Sequence, residues 1–165
     1  MKRFNQQART SMRFHPAPFL ALWMAACGAA DPIAFDQLEI RAPGLEIIID
    51  DDGTGQFNQS FQNKRGRFKL SHQQFANLVK RMEPFRLSDE TMRGTEVSDF
   101  LKSGIRCDGD HVTDNGGISL HWLGPSVDQF YIVDYGCDRE RHAARNTELR
   151  AILASLPVPD PDGLP

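Results

Sequence analysis

The sequence predicts an α+β domain in which an antiparallel sheet of about six strands carries two helices on one face. Three observations predict it. Residues 37–70 hold four short runs of alternating apolar and polar residues separated by turn signals. A capped amphipathic helix follows them directly, and residues 118–156 then repeat the order, a hairpin followed by a second helix. Strands grouped before helices, rather than alternating with them one by one, point to antiparallel pairing.

In chain order, Leu38 and Ile40 alternate with polar neighbours, Ala42-Pro43-Gly44 turns the chain, and Leu45, Ile47 and Ile49 alternate again, which is the pattern of a hairpin. Asp50-Asp51-Asp52-Gly53 makes the next turn, read as solvated rather than as a cation site. Phe57, Gln59 and Phe61 are expected on one face of a third strand, the cluster Asn63-Lys64-Arg65-Gly66 in a turn, and Phe68 and Leu70 in a fourth strand. The signals for the first helix agree best. Ser71 can cap it, Gln74 completes a capping box, and Phe75, Leu78, Val79 and Met82 recur at helical spacing, a stripe that must lie on the sheet. Pro84, lacking an N–H, is expected to end it.

Residues 85–117 are the least patterned, with room for a short helix around Ser98 to Lys102. Within them Asp108, Asp110, His111 and Asp114 cluster behind Cys107. Oxygens fall at the first, third and seventh places of a calcium loop, but the glycine of the sixth place and the closing glutamate are missing. A solvated acidic turn is therefore expected, with no metal and no cofactor assigned. Ile118, Leu120 and Trp122 begin a second hairpin whose other strand, FYIVDY, is apolar on both faces, which suggests a central place in the sheet. The last helix spans roughly Arg139 or Asn146 to Leu156, carries Leu149, Ile152, Leu153 and Leu156 at helical spacing, and stops at Pro157. A single domain over 37–156 and a disordered tail over 157–165 follow from this reading.

The stretch from Met12 to Cys27, MRFHPAPFLALWMAAC, reads as a lipoprotein signal over residues 1–26. Lys2, Arg3, Arg9 and Arg13 form a positive n-region, Phe19 to Ala26 an apolar h-region, and Met24-Ala25-Ala26 places small residues directly before Cys27, the expected lipidation site. Either Met1 or Met12 can serve as the start. A cut after Ala29 or Ala30, leaving no lipid, is the competing pattern. A membrane-spanning helix is not, since the apolar run is far short of the roughly 20 residues a bilayer demands. Residues 27–36 read as a tether.

With Cys27 lipidated, Cys107 and Cys137 remain as an even pair, which in an oxidising compartment favours a disulfide. Two buried free thiols are the alternative. Removing residues 1–26 takes away four cations, lowers the formal net charge from −3 to −7 and leaves 139 residues, one domain's worth. That acidity argues against nucleic acid as a partner, because its binders carry clustered basic faces.

The lipobox, LEIIIDDDGTGQF, LSHQQFANLVKRMEPF, Cys107, Thr113-Asp114, Trp122 and Asp134-Tyr135-Gly136-Cys137 together resemble small envelope lipoproteins of Gram-negative bacteria. More loosely, the chain is similar to a bacterial secreted domain of unknown function, which often has a cysteine-rich C-P segment where this chain has Ala42-Pro43-Gly44. The resemblance implies an envelope address and paired cysteines, and no activity. Gly28 after the cysteine resembles outer-membrane sorting. The expectation is a non-catalytic lipoprotein facing the periplasm, held to the membrane by its N-terminal lipid and binding an envelope protein through a sheet face or the 85–117 loop. The alternative is a small periplasmic hydrolase or metal-dependent enzyme. It would need His111 or His121 beside Asp108, Asp110 or Asp114, and no catalytic residue is assigned because no serine, histidine or aspartate lies in a recognisable motif.

Overall fold

The structure is a computed structural model that describes residues 35–159. The lipidation site Cys27, the rest of the signal, the tether up to residue 34 and the tail from residue 160 lie outside the described residues. The elements run β1 (Gln37–Ala42), β2 (Leu45–Asp50), β3 (Thr54–Gln59), β4 (Lys64–Lys69), α1 (His72–Arg86), β5 (Met92–Arg93), α2 (Thr95–Ser103), β6 (Gly117–Gly124), β7 (Val127–Asp134) and α3 (Ala143–Ala154). The strands form one antiparallel sheet in the order β4-β3-β2-β1-β6-β7-β5. The fold is thus α+β as expected, with seven strands and three helices among the described residues where about six and two were expected. The extra strand is the two-residue β5, too short to leave a period in the sequence, and the extra helix α2 covers the region around Ser98 to Lys102.

One face of the sheet holds the core. Leu38, Ile40, Ile47, Ile49, Leu120 and Trp122 are buried there beneath Leu78, Met82 and Phe85 of α1 and Leu149 and Ile152 of α3. Each such side chain contributes about 2 kcal/mol by leaving water. Ser71 caps α1 as expected, its Oγ accepting from the Gln74 N–H while the Gln74 side chain accepts from the Ser71 N–H. Phe35 is also buried and lies edge-on to Phe75, and Val158 packs against the core, so the chain is held on the domain at both described ends.

Three expectations fail for stated reasons. Pro84 does not end α1, which continues to Arg86. The proline forfeits one backbone hydrogen bond, but Phe85 and Arg86 beyond it are both buried, and that packing carries the helix onward. Asn63-Lys64-Arg65-Gly66 is not a turn. The chain turns at Ser60–Asn63, with Asn63 in the left-handed region at φ 50°, and Gly66 sits inside β4 opposite Phe57. Phe61 accordingly falls outside β3 and is exposed. FYIVDY is not central either, since β7 lies next to the sheet's end and β1 occupies the middle. On its second apolar face Phe130 is stacked against His121, while Ile132 stays partly exposed in an open cleft that the segment after α1 also lines.

The β2–β3 turn is locked by charge. Asp52 accepts from Lys69 Nζ at 2.7 Å and from the Thr54 N–H at 2.7 Å, which together hold its carboxyl below the usual range, at about 2. A carboxyl whose pKa falls on folding contributes stability that is present above the unfolded value and lost as pH drops through the folded one. Asp52→Asn should therefore lose a stability increment at neutral pH and show a flatter stability curve between pH 4 and 2, measured by urea unfolding across that range.

Candidate functional site

The segment that resisted sequence reading is held to the sheet by a disulfide and a set of polar crosslinks. Cys107 and Cys137 are bonded across 30 residues, with their Cα atoms 5.2 Å apart. The backbones meet closely there. Val112 N–H donates to the Gly136 carbonyl, and a Cβ on Gly136 would lie 1.9 Å from the Val112 oxygen, so only glycine fits. Asp138, at φ 45°, donates its N–H to the Asp110 carbonyl and accepts the Asp108 N–H on its carboxylate.

The acidic cluster singled out in the sequence is used in this brace. Asp108 holds Arg141 and Asp110 holds Arg139, each at 3.1 Å, while His111 Nε2 sits 3.2 Å from Asp134 Oδ2. Asp114 occupies a left-handed turn at φ 61°. The carboxylates thus face separate cations, and among the described residues no three acidic, histidine or cysteine side chains are placed to hold one metal ion. His121 is also committed. Its Nε2 lies 2.8 Å from Asp128 Oδ1, its Nδ1 lies 3.5 Å from Glu39 Oε2, and its ring stacks on Phe130 at 3.5 Å. With a carboxylate at each ring nitrogen, the imidazole crosslinks β1, β6 and β7. Neither histidine meets Asp108, Asp110 or Asp114 through its side chain, as the hydrolase alternative demanded.

The arrangement best suited to binding lies at the opposite edge. β4 ends the sheet and pairs with β3 alone, so one row of its backbone N–H and C=O groups has no strand beside it among the described residues. Alternation sends Arg65, Arg67 and Lys69 to the open face and Gly66 and Phe68 to the core face. Lys69 is taken by Asp52, and Glu46, the carboxylate that shares the open-face groove, is taken by Arg41 at 3.1 Å. Arg65 donates to the neutral Asn58 side chain, and neither Arg65 nor Arg67 has a carboxylate partner among the described residues. Both line an open groove of about 510 Å³ with Glu46, Ile48, Gln56 and Asn58.

On the core face of the same edge, two phenylalanines are only half-buried. Phe57 lies across Gly66 and Phe68 across Gly55, so close that a Cβ on either glycine would fall within 2.5 Å of the ring. A ring laid over a facing glycine restores the side-chain contact that the glycine lacks. Sequence reading missed this edge because Asn63 to Gly66 carries a turn composition. The signal that could have found it is the period-two alternation of Arg65, Arg67 and Lys69 against Gly66, Phe68 and Leu70.

No protein-family model matches the chain, and neither a curated protein nor a solved structure is similar to it.

Loop closure over 30 residues makes the disulfide worth about 3.5 kcal/mol on the chain-entropy account. Replacing both cysteines, Cys107→Ser with Cys137→Ser, should lower the urea midpoint by the corresponding amount. It should also raise amide exchange over 104–116 far more than in β1 or β2.

Proposed function

We propose that this protein is a non-catalytic, lipid-anchored envelope module that binds a protein partner by accepting an extended acidic segment as an eighth strand along β4. The observation that carries the reading is the unpaired edge whose outward arginines lack carboxylate partners. Added strands gain affinity from main-chain hydrogen bonds and specificity from alternate side chains. Here the outward positions call for Asp or Glu opposite Arg65 and Arg67, and the inward positions for apolar side chains that finish covering Phe68 and Phe57.

The charge also argues against a second copy of the chain as the occupant. Basic edge strands repel one another, a common defence against edge-to-edge association. The same charge favours an acidic strand. The disulfide supports an oxidising compartment, in keeping with the lipobox at Cys27. Among the described residues no helix is long and apolar enough to cross a membrane; the lipobox at Cys27 is what supports attachment through lipid. Seven residues lie between Cys27 and Phe35, and the eight Cα–Cα steps reach about 28 Å at most, which would keep the domain close to the bilayer.

A short synthetic peptide alternating glutamate with valine should bind the full chain and slow amide exchange across Lys64–Lys69. A block peptide of the same composition should not. Reversing both cations, Arg65→Glu with Arg67→Glu, should weaken binding about tenfold or more and transfer it to a lysine–valine peptide. Equal binding of the block peptide, or indifference to the reversal, would refute the strand-addition reading.

A further inference from the structure

The last turn of α1 buries a cation with no anion beside it. Arg86 is 8% exposed and is the one charged side chain in the core among the described residues. Its Nη1 donates to Gln129 Oε1 at 3.0 Å. That partner is neutral, and among the described residues no carboxylate comes within ion-pairing distance of the guanidinium. The negative end of the helix dipole compensates part of its charge. A guanidinium has five N–H donors in a planar fork, and buried charges are ordinarily paired. An arginine held this way is prepared for an anion that comes from elsewhere.

The surroundings are built accordingly. Arg86 lines an open pocket of about 250 Å³ with Arg93, Ser126, Val127, Asp128 and Gln129. Arg93 is the register partner of Gln129 across β5 and β7, which puts the two side chains on one side of the sheet. Its backbone N–H donates to Glu96, but among the described residues its guanidinium has no carboxylate partner. The one acid in the lining, Asp128, has its Oδ1 hydrogen-bonded by His121. Two guanidinium-bearing side chains, one buried and one exposed, therefore line with Ser126 a space large enough for a tetrahedral oxyanion.

We infer that this pocket binds a phosphate group, with Arg86 as the buried anchor and Arg93 closing over it. Two guanidinium forks match the geometry of phosphate oxygens better than ammonium groups would. The group could be supplied by a soluble phosphate ester or by a phospholipid headgroup. The second source rests on the anchored reading above. The Asp36 N–H donates to the Leu123 carbonyl at 2.7 Å, so the chain enters the domain beside the β6–β7 turn that carries Ser126, on the side the short tether would hold toward the bilayer.

The test follows the side-chain Nε–Hε resonances of Arg86 and Arg93 and the Gln129 amide in the full chain by NMR. Titrating glycerol phosphate should shift all three, while chloride at matched ionic strength should not. Arg93→Gln, an exposed change that spares the core, should weaken the apparent affinity roughly tenfold. Arg86→Gln, if it folds, should abolish the response. Vesicles of phosphatidylglycerol that compete with glycerol phosphate would assign the lipid source, whereas soluble binding without competition would assign a phosphate ester and leave the phosphate site standing. No shift with glycerol phosphate, an equal shift with chloride, or an unchanged response in Arg93→Gln would overturn the inference. None of these readouts involves β4, so the strand-addition reading stands or falls separately.

Discussion

Everything in this fold depends on burying one face of a single twisted sheet. Leu38 and Ile40 on β1, Ile47 and Ile49 on β2, and Leu120 and Trp122 on β6 form a continuous apolar floor covered by α1 and α3, with Phe35 and Val158 packed at its margins. The strands must therefore alternate, and whatever is not needed for the core is displayed on the other face. Glu39, Arg41, Glu46 and His121 stand there as a polar lattice crosslinked by ion pairs. The same constraint leaves β4 at the end of the sheet, because no further strand or helix among the described residues lies beside it.

The second half of the architecture obeys different physics. α2 buries no residue, and the chain around it is held by a covalent bond and by charged or backbone contacts rather than by apolar burial. That division explains why the segment is ordered without leaving a hydrophobic period in the sequence. It also explains why its acidic residues resemble a cation loop at first reading. Their spacing serves Arg139, Arg141 and the Asp138 turn, which lie 28 or more positions further along the chain.

Sequence reading reached the elements whose signals are local. The capping box at Ser71 and Gln74, the alternation through β1 and β2, the second hairpin and the pairing of Cys107 with Cys137 all rest on neighbours or on simple counting. It failed where distant contacts override a local preference. Pro84 is tolerated because Phe85 and Arg86 are buried against β7, and Gly66 sits mid-strand because the Phe57 ring occupies its missing side chain's place. The edge and the phosphate pocket were illegible for the same reason. Arg65, Arg67, Arg86 and Arg93 look like ordinary surface cations until the sheet order and the burial of Arg86 are known, although an arginine four places after Met82, on the buried stripe, was a visible anomaly.

The arrangement proposed for this protein joins an oxidised, braced domain to a lipid at Cys27. Intact mass of the protein extracted from its native membrane fraction, with thiols alkylated before and after reduction, tests it most directly. A chain beginning at Cys27 with added acyl mass, and two alkylations that appear only after reduction, are the expected result. An unlipidated chain that still carries residues 1–26 and shows three thiols reactive before reduction would contradict it.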